Sequence, residues 1–157
     1  MLSKVDYMKN AQLSRGLRNN NPLNIRHSAS KWQGMAPEQK DKAFVQFTTM
    51  QMGYRAAWRV LETYYHHFKE VGKQFTVRNI IFRWAPPNEN NTEAYLQRVC
   101  QLVAIDSNAV LLRPSIADEE DLKTLTDLLV SMTCVENGVS SDTVDRSVIE
   151  TAYRLAF

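Results

Sequence analysis

The chain has 157 residues, of which 44% are hydrophobic and 23% charged, and its net charge is +2. This balance is typical of a single globular domain with a buried core, and it argues against a disordered or fibrous chain. So small a net charge gives no reason to expect nucleic acid as a partner. No run approaches ~20 apolar residues, so the sequence predicts no membrane span. We expect one domain over residues 1–157.

The first residues, MLSKVDYMKNAQ, lack the apolar stretch of a secretory signal. We therefore expect the protein to be made in the cytoplasm and to need another route to any target outside it. The histidines and the two cysteines have none of the spacings typical of metal ligands, and no nucleotide-binding motif occurs. The sequence predicts neither a metal nor a cofactor.

The N-terminal third predicts a turn and a small sheet. A weakly patterned helix is expected over residues 1–14. The run Asn19-Asn20-Asn21-Pro22 predicts a turn, because asparagine and proline favour turn geometry. Short segments rich in β-forming residues follow at 24–27, 31–34 and 42–48. Their closeness in sequence predicts a small antiparallel sheet.

From Gly53 onward, apolar residues recur at three- and four-residue steps, which predicts helices. Thr76, Asn90 and Ser115 stand where helix-capping residues are expected. Asn137 and Gly138 predict the end of a long helix. The predicted helices cover roughly 53–71, 76–84, 90–103, 115–137 and 144–155. The expected fold class is therefore mainly α, with a small antiparallel β-sheet near the N-terminus.

Two longer motifs carry a resemblance to a known family. The run RGLRNNNPLNIR spans residues 15–26, and RWAPPNENNT spans residues 83–92. Together they resemble phage- and prophage-encoded virion-associated proteins that are described as structural or lytic. The resemblance covers residues 15–103, and helices over 115–157 are expected to pack on that region.

That family is in turn similar to lysozyme-like lytic transglycosylases and glucosaminidases. The resemblance implies a lysozyme-like fold and peptidoglycan glycan strands as the substrate. In those enzymes the catalytic glutamate ends a helix that precedes the asparagine-rich turn. Residues 1–20 contain no glutamate, whereas Glu136 lies at the end of a predicted helix late in the chain. We therefore expect a circularly permuted arrangement in which the Glu136 helix packs beside residues 19–47.

Cleavage of a glycosidic bond needs an acid with a raised pKa. Glu136 fits because apolar residues precede it and the C-terminal end of a helix disfavours a negative charge. The alternative is an exposed residue next to a helix cap. Glu89 is the second candidate acid, and its alternative role is to stabilise the start of the following helix.

Six polar or aromatic residues are candidates for substrate binding: Asn20, Asn21, Asn24, Arg26, Trp32 and Tyr64. The asparagines can bind N-acetyl groups or cap their own turn. The arginine can pair with a substrate carboxylate or brace a loop. The tryptophan can stack on a sugar ring or pack in the core. Adjacent tyrosines at 64 and 65 cannot both point inward, so one is expected to line a groove.

The leading hypothesis is a peptidoglycan-cleaving enzyme of the lytic transglycosylase or muramidase type, acting at the wall after delivery by phage lysis or by the virion. One alternative is a non-catalytic virion structural or wall-binding protein, with other virion proteins as partners. Another is an endopeptidase that cuts the peptide cross-links.

Overall fold

A computed structural model describes residues 13–157. The helix predicted over residues 1–14 lies outside this range but for its last two positions. The mainly helical class is confirmed. The described helices are α1 (Arg15–Arg18), α2 (Met50–Glu70), α3 (Val77–Trp84), α4 (Thr92–Val103), α5 (Glu119–Asn137) and α6 (Arg146–Ala156), with 3-10 turns at Pro114–Ile116 and Ser141–Thr143.

Helices α3, α4 and α5 each begin at a residue whose side chain caps the helix. Thr76 caps α3 as predicted, since its Oγ1 accepts a hydrogen bond from the Asn79 backbone N–H. The predicted caps of the next two helices are each displaced along the chain. Asn91 rather than Asn90 caps α4, and Asp118 rather than Ser115 caps α5.

The core forms mainly where α2 meets α6 and where α4 meets α5. Apolar side chains of α2 recur on one face, and Trp58 is completely buried there. Its indole N–H donates to the Ile149 carbonyl of α6 at 3.0 Å, which ties the two helices together. Leu128, Leu129 and Met132 of α5 are also fully buried. Burial of side chains of this size contributes roughly 1.5–3 kcal/mol each.

The prediction of a small sheet near the N-terminus is wrong. Among the described residues, this region has only isolated antiparallel bridges, Arg26 with Phe44 and Met35 with Phe47, and the segment 31–34 takes part in neither. Side-chain amides take up backbone groups that a strand ladder would otherwise pair. Gln39 Nε2 donates to two backbone carbonyls, and Gln46 Oε1 accepts from the Lys40 backbone N–H.

The end of α5 packs against this N-terminal region. Asn137 Nδ2 donates to the Pro22 carbonyl at 2.8 Å, and Ser14 Oγ donates to Asn137 Oδ1 at 2.6 Å. These contacts join positions more than a hundred residues apart in sequence. They bring the last turn of α5 to the asparagine-rich turn. Within residues 13–157, no helix combines the length and the apolar character needed to cross a bilayer.

Candidate active site

Glu136 lies on the last turn of α5 and is half-buried. Its Oε1 accepts a hydrogen bond from Asn24 Nδ2 at 2.8 Å, and its Oε2 accepts one from the Tyr95 hydroxyl at 2.8 Å. The carboxyl group is thus held between the asparagine-rich turn and α4. Both donors are neutral groups, and each carboxyl oxygen keeps capacity for a further hydrogen bond.

The backbone of the asparagine-rich turn positions Asn24. Asn24 has a φ of 52°, in the left-handed region that asparagine tolerates better than most residues. Asn21 is fully buried and holds the turn closed. Its Nδ2 donates to the Ile25 and Val45 carbonyls, and its Oδ1 accepts from the Ile25 backbone N–H. The loop is therefore fixed before any ligand arrives.

Gly16 of α1 allows the turn and α5 to approach this closely. A Cβ at this position would lie 2.6 Å from Asn137 Oδ1 and 2.7 Å from Asn24 Oδ1. These distances are shorter than van der Waals contact, so a side chain here would displace the neighbours of Glu136. The absence of a side chain at Gly16 is a requirement of the site.

Burial raises the pKa of Glu136 above its ordinary value of 4.5. The hydrogen bonds from Asn24 and Tyr95, together with the positive charge of Arg26, partly oppose that rise. Burial also raises the pKa of Tyr95 well above 10, and the nearby Glu136 charge adds to the effect. The phenol therefore remains a hydrogen-bond donor, and Glu136 holds its proton to a higher pH than an exposed glutamate.

A groove with a volume of about 260 Å³ runs beside Asn24. Arg26, Tyr64 and Glu89 line it, so four predicted site residues share this surface. Glu136 lies behind Asn24 and is not among the lining residues. Tyr64 packs edge-on against Trp84. Burial raises the pKa of Tyr64 to about 12.

The remaining predicted binding residues lie away from this groove. Asn20 Nδ2 donates to the Phe47 carbonyl, and Asn21 is satisfied within its turn. Trp32 is half-buried and packs against the core, and it is not among the residues that line the groove. These three side chains have contacts that brace the N-terminal loops.

Sequence reasoning missed the part played by Asp41. Its carboxylate accepts two hydrogen bonds from the Arg15 guanidinium at 2.6 Å and one from Asn19 Nδ2 at 2.9 Å. The Arg15 contact is the main reason that the pKa of Asp41 lies well below its usual range. Asp41 therefore stays ionised and ties α1 to the loop that precedes Phe44.

The Tyr95 hydroxyl bond to Glu136 was also missed, because helical spacing predicts only that the ring is buried. The close approach at Gly16 had no sequence signal beyond the glycine itself. Within residues 13–157, no group of three histidine, cysteine, aspartate or glutamate side chains is placed to hold a metal ion.

The fold and the site define a small, mainly helical protein in which a shielded carboxyl group from a late helix faces an early polar turn beside a groove. The chain is 34% identical over 137 residues to protein P5 of Pseudoalteromonas phage PM2, an alignment that covers 85% of this chain and 78% of the relative. It belongs to the phage protein family that includes P5. No protein-family model matches the chain.

Proposed function

We propose that this protein cleaves peptidoglycan glycan strands, with Glu136 as the acid. The observation that carries the proposal is the setting of Glu136, a shielded carboxyl with a raised pKa next to a groove. An acid with these properties is what protonation of a glycosidic oxygen requires near neutral pH. The membership of a phage family is compatible with a wall-directed activity.

The chemistry of a lytic transglycosylase needs only one such group. The Asn24 side chain must move aside for this step, because Asn24 and not Glu136 lines the groove. Protonated Glu136 then gives its proton to the bridging oxygen as the bond from that oxygen to the sugar C1 breaks. The Glu136 carboxylate then takes the proton of the sugar's own C6 hydroxyl, whose oxygen bonds to C1. The products are a 1,6-anhydro end and a free hydroxyl, and Glu136 is protonated again.

Hydrolysis would instead use water and a second carboxylate. Glu89 lines the groove and is exposed, so it is the candidate for that role. Asp41 is engaged by Arg15 and two backbone N–H groups, which leaves it a bracing role. The single-acid mechanism therefore fits the described residues better.

The test is a clearing assay on purified sacculi. We expect Glu136→Gln to reduce clearing at least about 100-fold, the low end of what an acid contributes. Glu120→Gln is the matched control, because it changes an exposed glutamate at the other end of the same helix. Retained clearing by folded Glu136→Gln would refute the proposed acid. Loss of clearing in Glu89→Gln, with reducing sugar ends from the wild type, would instead favour hydrolysis.

A non-catalytic wall-binding or virion structural role is the second candidate. It is favoured by the fact that both Glu136 oxygens are already hydrogen-bonded and that Glu136 does not itself line the groove. Binding of the wild type to sacculi without any released fragment would support this role. Release of cut peptides, identified by mass spectrometry, would support the endopeptidase alternative.

A further inference from the structure

A second depression with a volume of about 470 Å³ lies next to the groove beside Asn24. The residues that line both are Tyr64, Arg83 and Pro86. The two depressions are therefore neighbours that share one wall. A function for the second depression follows from its charges and its walls.

The second depression is cationic. Arg83 and Lys73 line it and are exposed, and His67 lies with them. No aspartate or glutamate is among its lining residues. Across residues 13–157, no carboxylate lies within 4.0 Å of the charged nitrogens of Arg83 or Lys73. The guanidinium of Arg83 instead lies 5.2 Å from the centre of the Tyr64 ring, which helps to hold it over the groove.

The other walls of the depression suit an organic ligand rather than a bare anion. Phe68 and Phe82 give it apolar surface. Asn79 Nδ2 donates to the Gln74 carbonyl, which orients the side chain and leaves Asn79 Oδ1 able to accept from a ligand N–H. Cations, aromatic surface and an amide acceptor together match a short peptide that carries carboxylates.

We propose that the second depression binds the peptide stem of peptidoglycan, with Arg83 and Lys73 pairing with its carboxylates. The proposal rests on the proposed function, because it assumes that a glycan strand occupies the first groove. The stem is attached to the sugar strand, so a strand beside Asn24 has its stem close to the shared wall. The ligand class is therefore a glycan with acidic peptides, and a glycan without them binds less tightly.

The charge pattern favours this ligand over a polynucleotide. A nucleic acid is bound by cations spread along its phosphate backbone. Here two cations meet at one depression with aromatic walls, which fits one short acidic segment.

The test measures binding rather than turnover. Isothermal titration would compare a disaccharide carrying a stem peptide with the same disaccharide lacking it, in the Glu136→Gln background so that neither probe is cleaved. We expect Lys73→Gln, which changes a cation that lines only the second depression, to weaken binding of the peptide-bearing probe about tenfold, as expected for loss of a hydrogen bond to a charged group. Binding of the peptide-free probe should stay unchanged. Lys69→Gln is the control, since it changes an exposed lysine that lines neither depression.

Three results of the titration would overturn the proposal. They are an equal loss for both probes, no loss for either, and no measurable binding of the peptide-bearing probe before substitution. An oligonucleotide that displaces the peptide-bearing probe as effectively as a free stem peptide would also overturn the proposal. The clearing assay is a separate readout. If clearing is absent but Lys73→Gln still weakens binding of the peptide-bearing probe, the proposed cleavage is removed and peptide recognition stands.

Discussion

Two shielded glutamates in this chain have opposite electrostatic settings. Glu62, in the middle of α2, is 8% exposed and accepts hydrogen bonds from Arg113 Nε at 2.8 Å and from Ser115 N and Oγ. Glu136 accepts from an amide and a phenol. Burial raises the pKa of Glu62, but the hydrogen bonds outweigh it and the net pKa is lowered. For Glu136 burial prevails and the pKa is raised.

The difference shows that the number and the charge of the hydrogen-bond donors, set against burial, decide what a shielded carboxyl can do. A glutamate paired with an arginine stays ionised and fastens two parts of the chain together. A glutamate among neutral donors keeps a proton that it can transfer. Glu62 anchors the 3-10 turn at Pro114–Ile116 onto α2, whereas Glu136 has the properties of a candidate acid.

The largest effect on stability is expected from Glu62→Gln. The substitution leaves Arg113 without its anionic partner, and loss of one member of a buried pair costs about 3–5 kcal/mol. Because the Arg113 side chain is 38% exposed, we expect about 2 kcal/mol, nearer the cost of one lost charged hydrogen bond. Urea denaturation measures the change. Glu136→Gln is the comparison and should be as stable as the wild type or more so. Similar losses of unfolding free energy in both variants would contradict the difference between Glu62 and Glu136.

The two glutamates should also give opposite pH dependences of stability. Because the folded-state pKa of Glu62 is lowered, its contribution is present above the ordinary value of 4.5 and is lost as pH falls through the folded pKa. Because the folded-state pKa of Glu136 is raised, its contribution is present below 4.5 and is lost as pH rises through the folded pKa.

Unfolding free energies of the wild type and both variants, measured from about pH 3 to about pH 8, test these signs. The deficit of Glu62→Gln relative to the wild type should shrink on acidification. The advantage of Glu136→Gln should grow as pH rises above 4.5. A constant difference across the range for either variant would show that the corresponding pKa is not shifted.

The smallest effect is expected from Tyr95→Phe, as a shift in the pKa of Glu136. Loss of the phenol removes a hydrogen bond that lowers the pKa of Glu136, so that pKa should rise further. If Glu136 is the acid, the limb of the pH–rate profile on which activity falls with rising pH moves to higher pH. Tyr54→Phe is the matched control, because the Tyr54 hydroxyl bonds Thr133 Oγ1 and does not act on the pKa of Glu136. An equal shift in both variants would contradict a specific role for Tyr95.

Much of the helical architecture was predictable, because capping and apolar periodicity are local properties. Thr76 and the span of α3 illustrate this. The prediction that Ser115 caps α5 was wrong for a non-local reason. Its backbone N–H and hydroxyl bind Glu62, which lies 53 positions earlier, so Asp118 takes over as the cap of α5. No pattern within a helix-length window carries that information.

The predicted sheet failed for a similar reason. Segments 24–27 and 42–48 have β-forming residues, and two backbone hydrogen bonds join them, from Val45 N–H to the Ile25 carbonyl and from His27 N–H to the Ala43 carbonyl. The Val45 carbonyl instead accepts from the Asn21 side chain, which limits further pairing. The proximity of Glu136 to Asn24 was expected only from the resemblance and the permuted order that it implied. The Tyr95 hydroxyl bond depends on how α4 and α5 pack, which the sequence pattern does not specify.

The long separation between the contacting residues also affects when the site forms. Asn24 and Glu136 are 112 positions apart, and Ser14 and Asn137 are 123 apart. Closing loops of this length has an entropic cost that only late folding contacts offset. During synthesis on the ribosome, the asparagine-rich turn therefore waits until α5 has emerged and folded back. An incomplete chain has no protected carboxyl group beside that turn.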